Sequence, residues 1–291
     1  MSDWNRGRVT VLLGRQNGKY PEGNSLLVRG DDATLLIDPS LRVARGEAPE
    51  HVDLVLLSHV HEDHVAGLGR YPTARVLAHR ADVLGVHSLA GLLQMYGYSG
   101  IDEAMRSFVV DQFHYAARPD AESYVDGQVF DLGGVSVEVI HLPGHTRGHC
   151  ALRIEPEGVL FLGDIDLSSF GPYYGDAWSD LADFERSLAR VRDIEASAWV
   201  TFHHVGVIDE RATFLDRLDR FTNKIATREA AIVAALATPR TLDELVAQRF
   251  LYPPQVQLPF VDMVERRTIQ QHLDRLLQAG RITTDGNTYA A

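Results

Sequence analysis

The segment His59-Val60-His61-Glu62-Asp63-His64 limits this chain more tightly than anything else in it. Three imidazoles and the Asp63 carboxylate fall within six residues, directly after the apolar run Leu54-Val55-Leu56-Leu57. A short apolar run bounded by polar residues reads as a buried strand. Such a strand delivers His59 and His61 at its C-terminal end, with Asp63 and His64 turning into the next element. Imidazole nitrogens together with a carboxylate oxygen suit zinc, and iron or manganese less selectively. A solvated His-rich loop is the plainer reading of such a cluster, and the rest of the chain argues against it.

Three further segments repeat the pattern of an apolar strand running into ligand-type residues. Val135-Ser136-Val137-Glu138-Val139-Ile140 alternates like a half-buried strand and leads to Pro143-Gly144-His145-Thr146-Arg147-Gly148-His149. Val159-Leu160-Phe161-Leu162 leads to Gly163-Asp164, and Ala198-Trp199-Val200-Thr201-Phe202 leads to His203-His204. Side chains presented at strand ends on short loops are held by a rigid scaffold, as a catalytic metal site requires.

In order and spacing these motifs resemble those of the metallo-β-lactamase superfamily, over roughly Val9 to Asp209. The matching pieces are H-x-H-x-D-H, the P-G-H-T-x-G-H loop, a strand ending in Gly-Asp, and a late strand-end His. Asn24–Val28 and Thr34–Asp38 resemble the family's opening hairpin. The resemblance implies an α/β fold, an αββα sandwich, with His59, His61 and His145 on one divalent metal ion. Asp63 and His64 would hold a second, and Asp164 would bridge the pair. The last ligand would be His203 or His204. His204 is preferred, because 204–208 fits the family's G-H-G-x-V-I segment without a gap. Asp38 would support a ligand from behind, and His149 and His141 would either do likewise or shape the loop structurally. Two such cations, zinc by preference, lower the pKa of a water held between them and polarise a carbonyl or phosphoryl oxygen. The resulting hydroxide is the implied nucleophile, and Asp63 both binds and orients it. Cys150 is expected to be a buried small hydrophobe.

Charge narrows the substrate. The net charge is −12. Residues 223–291 carry eight Lys/Arg against seven Asp/Glu, which leaves 20 against 33, or −13, in the first 222. A long polyanion is bound through cationic contacts, so this balance disfavours nucleic acid as a substrate. No run of about 18 apolar residues is present, so no membrane span is expected. A polar N-terminus and a single cysteine suggest a cytoplasmic protein.

The expected organisation is a catalytic domain over 1–222 and a winged-helix-like domain over 223–291. A helical insertion is expected at about 81–126, with helices at 81–93 and 102–113. Phe108 and Phe113 are expected to pack it down. Tyr96 and Tyr98 either pack likewise or form part of a lid. Gly171-Pro172-Tyr173-Tyr174-Gly175 marks an irregular loop at the cleft mouth. Some lactonases of the family carry a catalytic tyrosine shortly after the bridging Asp; here Leu167 stands three residues on, so that role does not carry over. In the C-terminal region, helices at 228–236, 241–250 and 261–279 precede a hairpin around Asp285-Gly286. Its charges are mixed, so packing or homodimer formation is preferred to DNA reading.

These observations predict a dinuclear metal-dependent hydrolase acting on a small molecule, with a thioester first and a lactone or ester second. An RNA or phosphodiester hydrolase is the rival enzyme. A metal-dependent sensor or DNA-binding regulator is the reading from another class.

Overall fold

The structure is a computed structural model that describes residues 3–98 and 102–291. Two sheets stack face to face. The first runs in sequence order through β1 (Trp4–Arg6), β2 (Val9–Leu12), β3 (Ser25–Arg29), β4 (Thr34–Ile37), β5 (Leu54–Leu56), β6 (Arg75–His79) and β7 (Glu122–Tyr124). The second comprises β8 (Val129–Asp131), β9 (Ser136–His141), β10 (Cys150–Glu155), β11 (Val159–Phe161), β12 (Ala198–Val200) and β13 (Val207–Ile208), again neighbour to neighbour.

Alternation along the strands builds three layers of core. Leu26 and Val28 of β3 face the second sheet, where Val137, Val139, Leu152 and Phe161 meet them. Leu27, between them, faces outward into a cluster that includes Val86, Leu92 and Phe108 of the insertion. On the far side, Leu160 and Trp199 pack under the helices Leu181–Arg192 and Arg211–Ala235. This is the expected αββα sandwich, and it follows from period-2 burial on both faces of each sheet.

Parallel pairing decides where side chains for chemistry emerge. β4, β5 and β6 are mutually parallel, and so are β11 and β12. Their C-terminal ends lead to Asp38, to His59–His64, to His79, to Asp164 and to His203. Loops at the carboxyl ends of parallel strands are where open α/β sheets form ligand sites.

The insertion is more broken than expected. In place of a helix over 81–93 there are Leu84–His87 and Leu89–Tyr96, separated by Ser88, whose side chain caps the second by accepting from Gly91 N–H. The expected helix at 102–113 is Asp102–Ser107 followed by a wide turn at Phe108–Gln112. Ser99 and Gly100 of the glycine-rich stretch lie outside the described residues.

At the C-terminal end, the anticipated boundary at 222/223 falls inside Arg211–Ala235, a single 25-residue helix. Phe214, Leu218, Phe221, Ile225, Arg228 and Ile232 are buried along it, so one stripe at helical spacing passes through the expected junction. The segment expected as a helix at 228–236 is thus the end of a longer one. Leu242–Gln248 follows with a reciprocal cap between Thr241 and Glu244, and then Val261–Gln278. The chain ends in a small sheet in which β16 (Thr288–Ala290) lies between β14 (Arg240–Thr241) and β15 (Thr283–Thr284). Among the described residues, no helix is long and apolar enough to cross a membrane.

Candidate metal centre

Seven side chains converge where the two sheets' carboxyl ends meet. His59, His61, His145 and Asp164 form one group, and Asp63, His64 and His203 another, with the donor atoms of each within 4.8 Å of one another. Nε2 of His59, Nδ1 of His61 and Nε2 of His145 stand 3.0–3.2 Å apart. Asp164 serves both sides. Its Oδ2 lies 3.3 Å from His145 Nε2, while its Oδ1 lies 3.0 Å from His64 Nε2 and 3.7 Å from His203 Nε2.

The outer nitrogen of each ring is anchored, which fixes what the inner one can offer. His145 Nδ1 donates to Tyr173 O at 2.9 Å, and His203 Nδ1 to the carbonyls of Gly18 and Glu22, each at 2.9 Å. His64 Nδ1 is held by Asp38 at 2.8 Å, and His59 Nδ1 lies 3.2 Å from Ser58 Oγ. His61 Nε2 is paired with Asp176 at 3.0 Å. With the outer N–H committed, each neutral ring turns a lone pair inward. Five inward lone pairs and two carboxylates need a cation among them. Asp63 makes the point most sharply: its Oδ2 is buried without a hydrogen-bond partner, although His203 Nε2 stands only 2.9 Å away. The donor set is nitrogen and oxygen without thiolate, backed by hydrogen bonds on the outer ring atoms, as zinc-type sites are built.

Electrostatics agree. Burial pulls the His203 ring down, but Asp164 and Asp63 outweigh it and carry its pKa up to about 9. Burial likewise opposes the charge on His61, and Asp176 reverses this to give about 8. His59, buried with imidazoles on several sides, is pushed well below its ordinary value. The carboxylates thus favour positive charge at His203 and His61, while His59 is held neutral among its neighbours.

Local backbone explains which late histidine enters. Thr201 Oγ1 donates to His203 O and accepts from Gly206 N–H, closing a tight turn after β12. His204 sits in that turn with φ +63°, which swings its ring away from the cluster. Its nearest acid is Asp166, 3.8 Å off. The structure thus brings His203 to the cluster, and not His204, which the sequence reading preferred.

The supporting residues sort out similarly. His149 donates through Nδ1 to Leu142 O and accepts the Asp164 N–H at Nε2, so it positions the bridging acid's backbone. Gly163 precedes Asp164 with φ +53°, and a Cβ there would come within 2.7 Å of His149 Nε2. Asp38 carries His64 as anticipated. His141 donates to or accepts from nothing in the cluster; it contacts Arg147 O and stacks on His79. Cys150 is buried at the start of β10.

A cavity of about 430 Å³ opens over the cluster. Tyr96, Tyr98 and Tyr173 form part of its wall, their hydroxyls held by Glu62 and Asp176. Tyr174, grouped with them at the cleft mouth on sequence grounds, instead points into the body and bonds His272. Glu62, Asp176 and Tyr20 were not anticipated. Glu62 lay inside the motif at its variable position, and Asp176 directly follows the irregular Tyr-Tyr-Gly turn.

A family model described as the metallo-beta-lactamase superfamily matches residues 21–220. The chain is 24% identical over 240 residues to a beta-lactamase-like protein 2 homolog of Caenorhabditis elegans, covering 78% of this chain and 70% of that protein. It is 26% identical over 200 residues to an atrochrysone carboxyl ACP thioesterase of Aspergillus fumigatus, covering 65% of this chain and only 52% of the fungal protein. A metallo-beta-lactamase family protein of Thermus thermophilus has the same fold, with a TM-score of 0.70 at 24% identity, covering 97% of this chain and 98% of that one. The motifs, the sandwich and the matched span together make this chain a member of the metallo-beta-lactamase superfamily.

Proposed function

We propose that this chain is a dinuclear metal-dependent hydrolase of acyl thioesters. His59, His61 and His145 would hold one ion and Asp63, His64 and His203 the other, with Asp164 between them; zinc suits the donors best. Such ions polarise a carbonyl oxygen and lower the pKa of a bound water. The chain's own residues supply the rest. Asp63, with its unpartnered Oδ2 facing the cluster, orients the attacking water. Tyr96 and Tyr98 spend their hydroxyl hydrogens on Glu62 and Asp176. These wall phenols are thus committed and do not protonate a departing group. A thiolate leaves without such help, since thiol pKa values lie near about 8.5.

The observation that carries this reading is the cavity's lining. Lys19 is its one Lys or Arg among the described residues, against Glu62, Asp63, Asp164, Asp166 and Asp176. A phosphodiester path wants cationic contacts. The arginines of the Val261–Gln278 helix are likewise taken up within the chain: Arg266 by Asp243, Arg267 by Tyr96 O, Arg275 by Glu185 and Glu229. This weighs against RNA hydrolysis and against a DNA-binding regulator, and supports a packing role for a winged-helix-like C-terminal unit. The fungal relative's thioesterase name points the same way. The test is a panel at equal zinc loading. Acyl thioesters should exceed bis-p-nitrophenyl phosphate and single-stranded RNA in kcat/KM by at least about 100-fold, a margin of roughly 3 kcal/mol. Faster turnover of either phosphodiester would overturn the assignment.

A further inference from the structure

We propose that the loop 251–260 of the C-terminal unit forms the far wall of an acyl subsite, so that this unit selects the apolar acyl group the metal centre receives. The inference rests on the thioester reading for its chemistry, but on the cavity for its geometry.

The cavity is lined by His61, Asp63 and His145 of the cluster and also by Tyr252, Val256, Leu258 and Phe260 of the loop. Its volume of about 430 Å³ is far more than an acetyl group needs and falls within the range of small-ligand pockets. One side is a continuous run of rings leading away from the cluster. His61 and Tyr96 have centroids 5.4 Å apart, Tyr96 and Tyr98 5.4 Å at 20°, and Tyr98 and Phe260 6.1 Å at 8°. From Tyr96 onward the rings are near-parallel, an aromatic row that leads from beside His61 to the loop.

The loop is held in place by buried groups. Glu265, fully buried, accepts from the N–H groups of Phe250, Leu251 and Tyr252 at 3.0, 2.9 and 2.7 Å. From the same helix, Arg267 donates to Tyr96 O at 2.6 Å and also to Gly97 O. One helix therefore clamps both the loop and the tyrosine wall. A preformed pocket loses little to ordering when a chain enters it.

A second observation points to an apolar occupant. Among the described residues, five large hydrophobic side chains are exposed, and two of them, Tyr20 at 37% and Leu258 at 37%, line this cavity. An acyl chain in the cavity would cover apolar surface of this kind, while the polar thiol carrier stays at the open mouth. Each methylene so buried should improve binding by roughly fourfold.

The experiment uses zinc-loaded full-length protein and N-acetylcysteamine thioesters of acetate, hexanoate, decanoate and benzoate. The small carrier isolates the acyl contribution. The wild type should prefer hexanoyl, decanoyl or benzoyl over acetyl by at least tenfold in kcat/KM. Val256→Trp, which fills the cavity, should lower the decanoyl-to-acetyl ratio at least tenfold, and Leu258→Ala, which removes apolar contact, should lower it more modestly. Zinc content and Tm establish that each variant is folded. Calorimetry with free decanoate and acetate reads the same subsite without turnover, and Val256→Trp should lose the decanoate preference. Equal kcat/KM across the acyl series, or equal loss on every thioester in Val256→Trp, would overturn the proposal. If no thioester reacts, the thioester reading fails alone, and the decanoate titrations still decide the subsite: a preference removed by Val256→Trp upholds it, and none refutes it.

Discussion

Asp176 Oδ2 stands 3.0 Å from His61 Nε2, on the side of the imidazole that faces away from the metal cluster. Its other oxygen accepts from Tyr98 OH at 2.5 Å and Tyr173 OH at 3.1 Å. One carboxylate, 4% exposed, thus sets the tautomer of a cluster histidine and holds two tyrosines of the cavity wall.

Replacing that acid should therefore weaken metal binding from a distance. Acids behind ligating histidines fix the ring and raise its basicity, and their loss typically costs about 10–100-fold in metal affinity. Asp176→Ala is expected to lower zinc affinity by that factor in a chelator-competition titration, with the fold intact by circular dichroism. Unchanged affinity would mean that His61 is oriented by its loop alone.

The two late histidines should separate cleanly. His203→Ala removes a ring whose Nε2 faces Asp63 and Asp164, so elemental analysis should fall from about two zinc ions per chain to about one. His204→Ala removes a ring whose acidic neighbour is Asp166, 3.8 Å away, rather than Asp63 or Asp164. It should keep both ions. Loss of an ion in His204→Ala, with retention in His203→Ala, would restore the order expected from the sequence.

That pair also marks where sequence reading runs out. The motif at 59–64 is local, and its delivery by a strand follows from an apolar run of fixed length. The choice between His203 and His204 instead turns on one positive φ and on Thr201 closing the turn, which spacing does not encode. Asp176 reaches His61 across more than a hundred residues of chain, and no pattern links the two. Tyr173 and Tyr174 are neighbours that point to opposite places, one to the cavity and one to His272. The missed helix is a different case. The stripe Phe214, Leu218, Phe221, Ile225 continues at helical spacing through Arg228 and Ile232, and was present to be read.

His272 gives a pH dependence whose sign can be worked out. It is fully buried, accepts from Tyr174 OH at 2.9 Å and faces Glu229 at 3.3 Å. Burial, helped by Arg275, lowers its pKa from 6.5 to about 4. The unfolded chain binds this proton first, so the contribution to stability is full above pH 6.5 and is lost as pH falls toward 4. Between pH 7.5 and pH 5 this group should account for about 2 kcal/mol of lost stability. Acid also strips metal from the cluster, so the comparison is made on metal-free protein. Denaturant unfolding at both pH values should show a smaller loss in His272→Gln than in the wild type, by that amount. Parallel losses in the two proteins would remove His272 from the account.

Arg228 ties the long helix to the loop that follows Asp164. The side chain is buried, and its guanidinium donates to the carbonyls of Pro172 and Phe170 while lying over the rings of Phe170 and Tyr174. Arg228→Ala strands two carbonyls and opens a void, so a loss of about 3 kcal/mol in denaturant unfolding is expected. Arg228→Lys should recover only part of it, since a single ammonium cannot reproduce the planar fork. All seven cluster residues precede Asp209, and zinc content per folded molecule should therefore hold near two in both variants. The effect on function should instead appear as a raised KM, because Phe170 and Tyr173 of the same loop line the cavity. A loss of zinc in Arg228→Lys, with stability unchanged, would show that this loop governs the metal centre rather than the pocket above it.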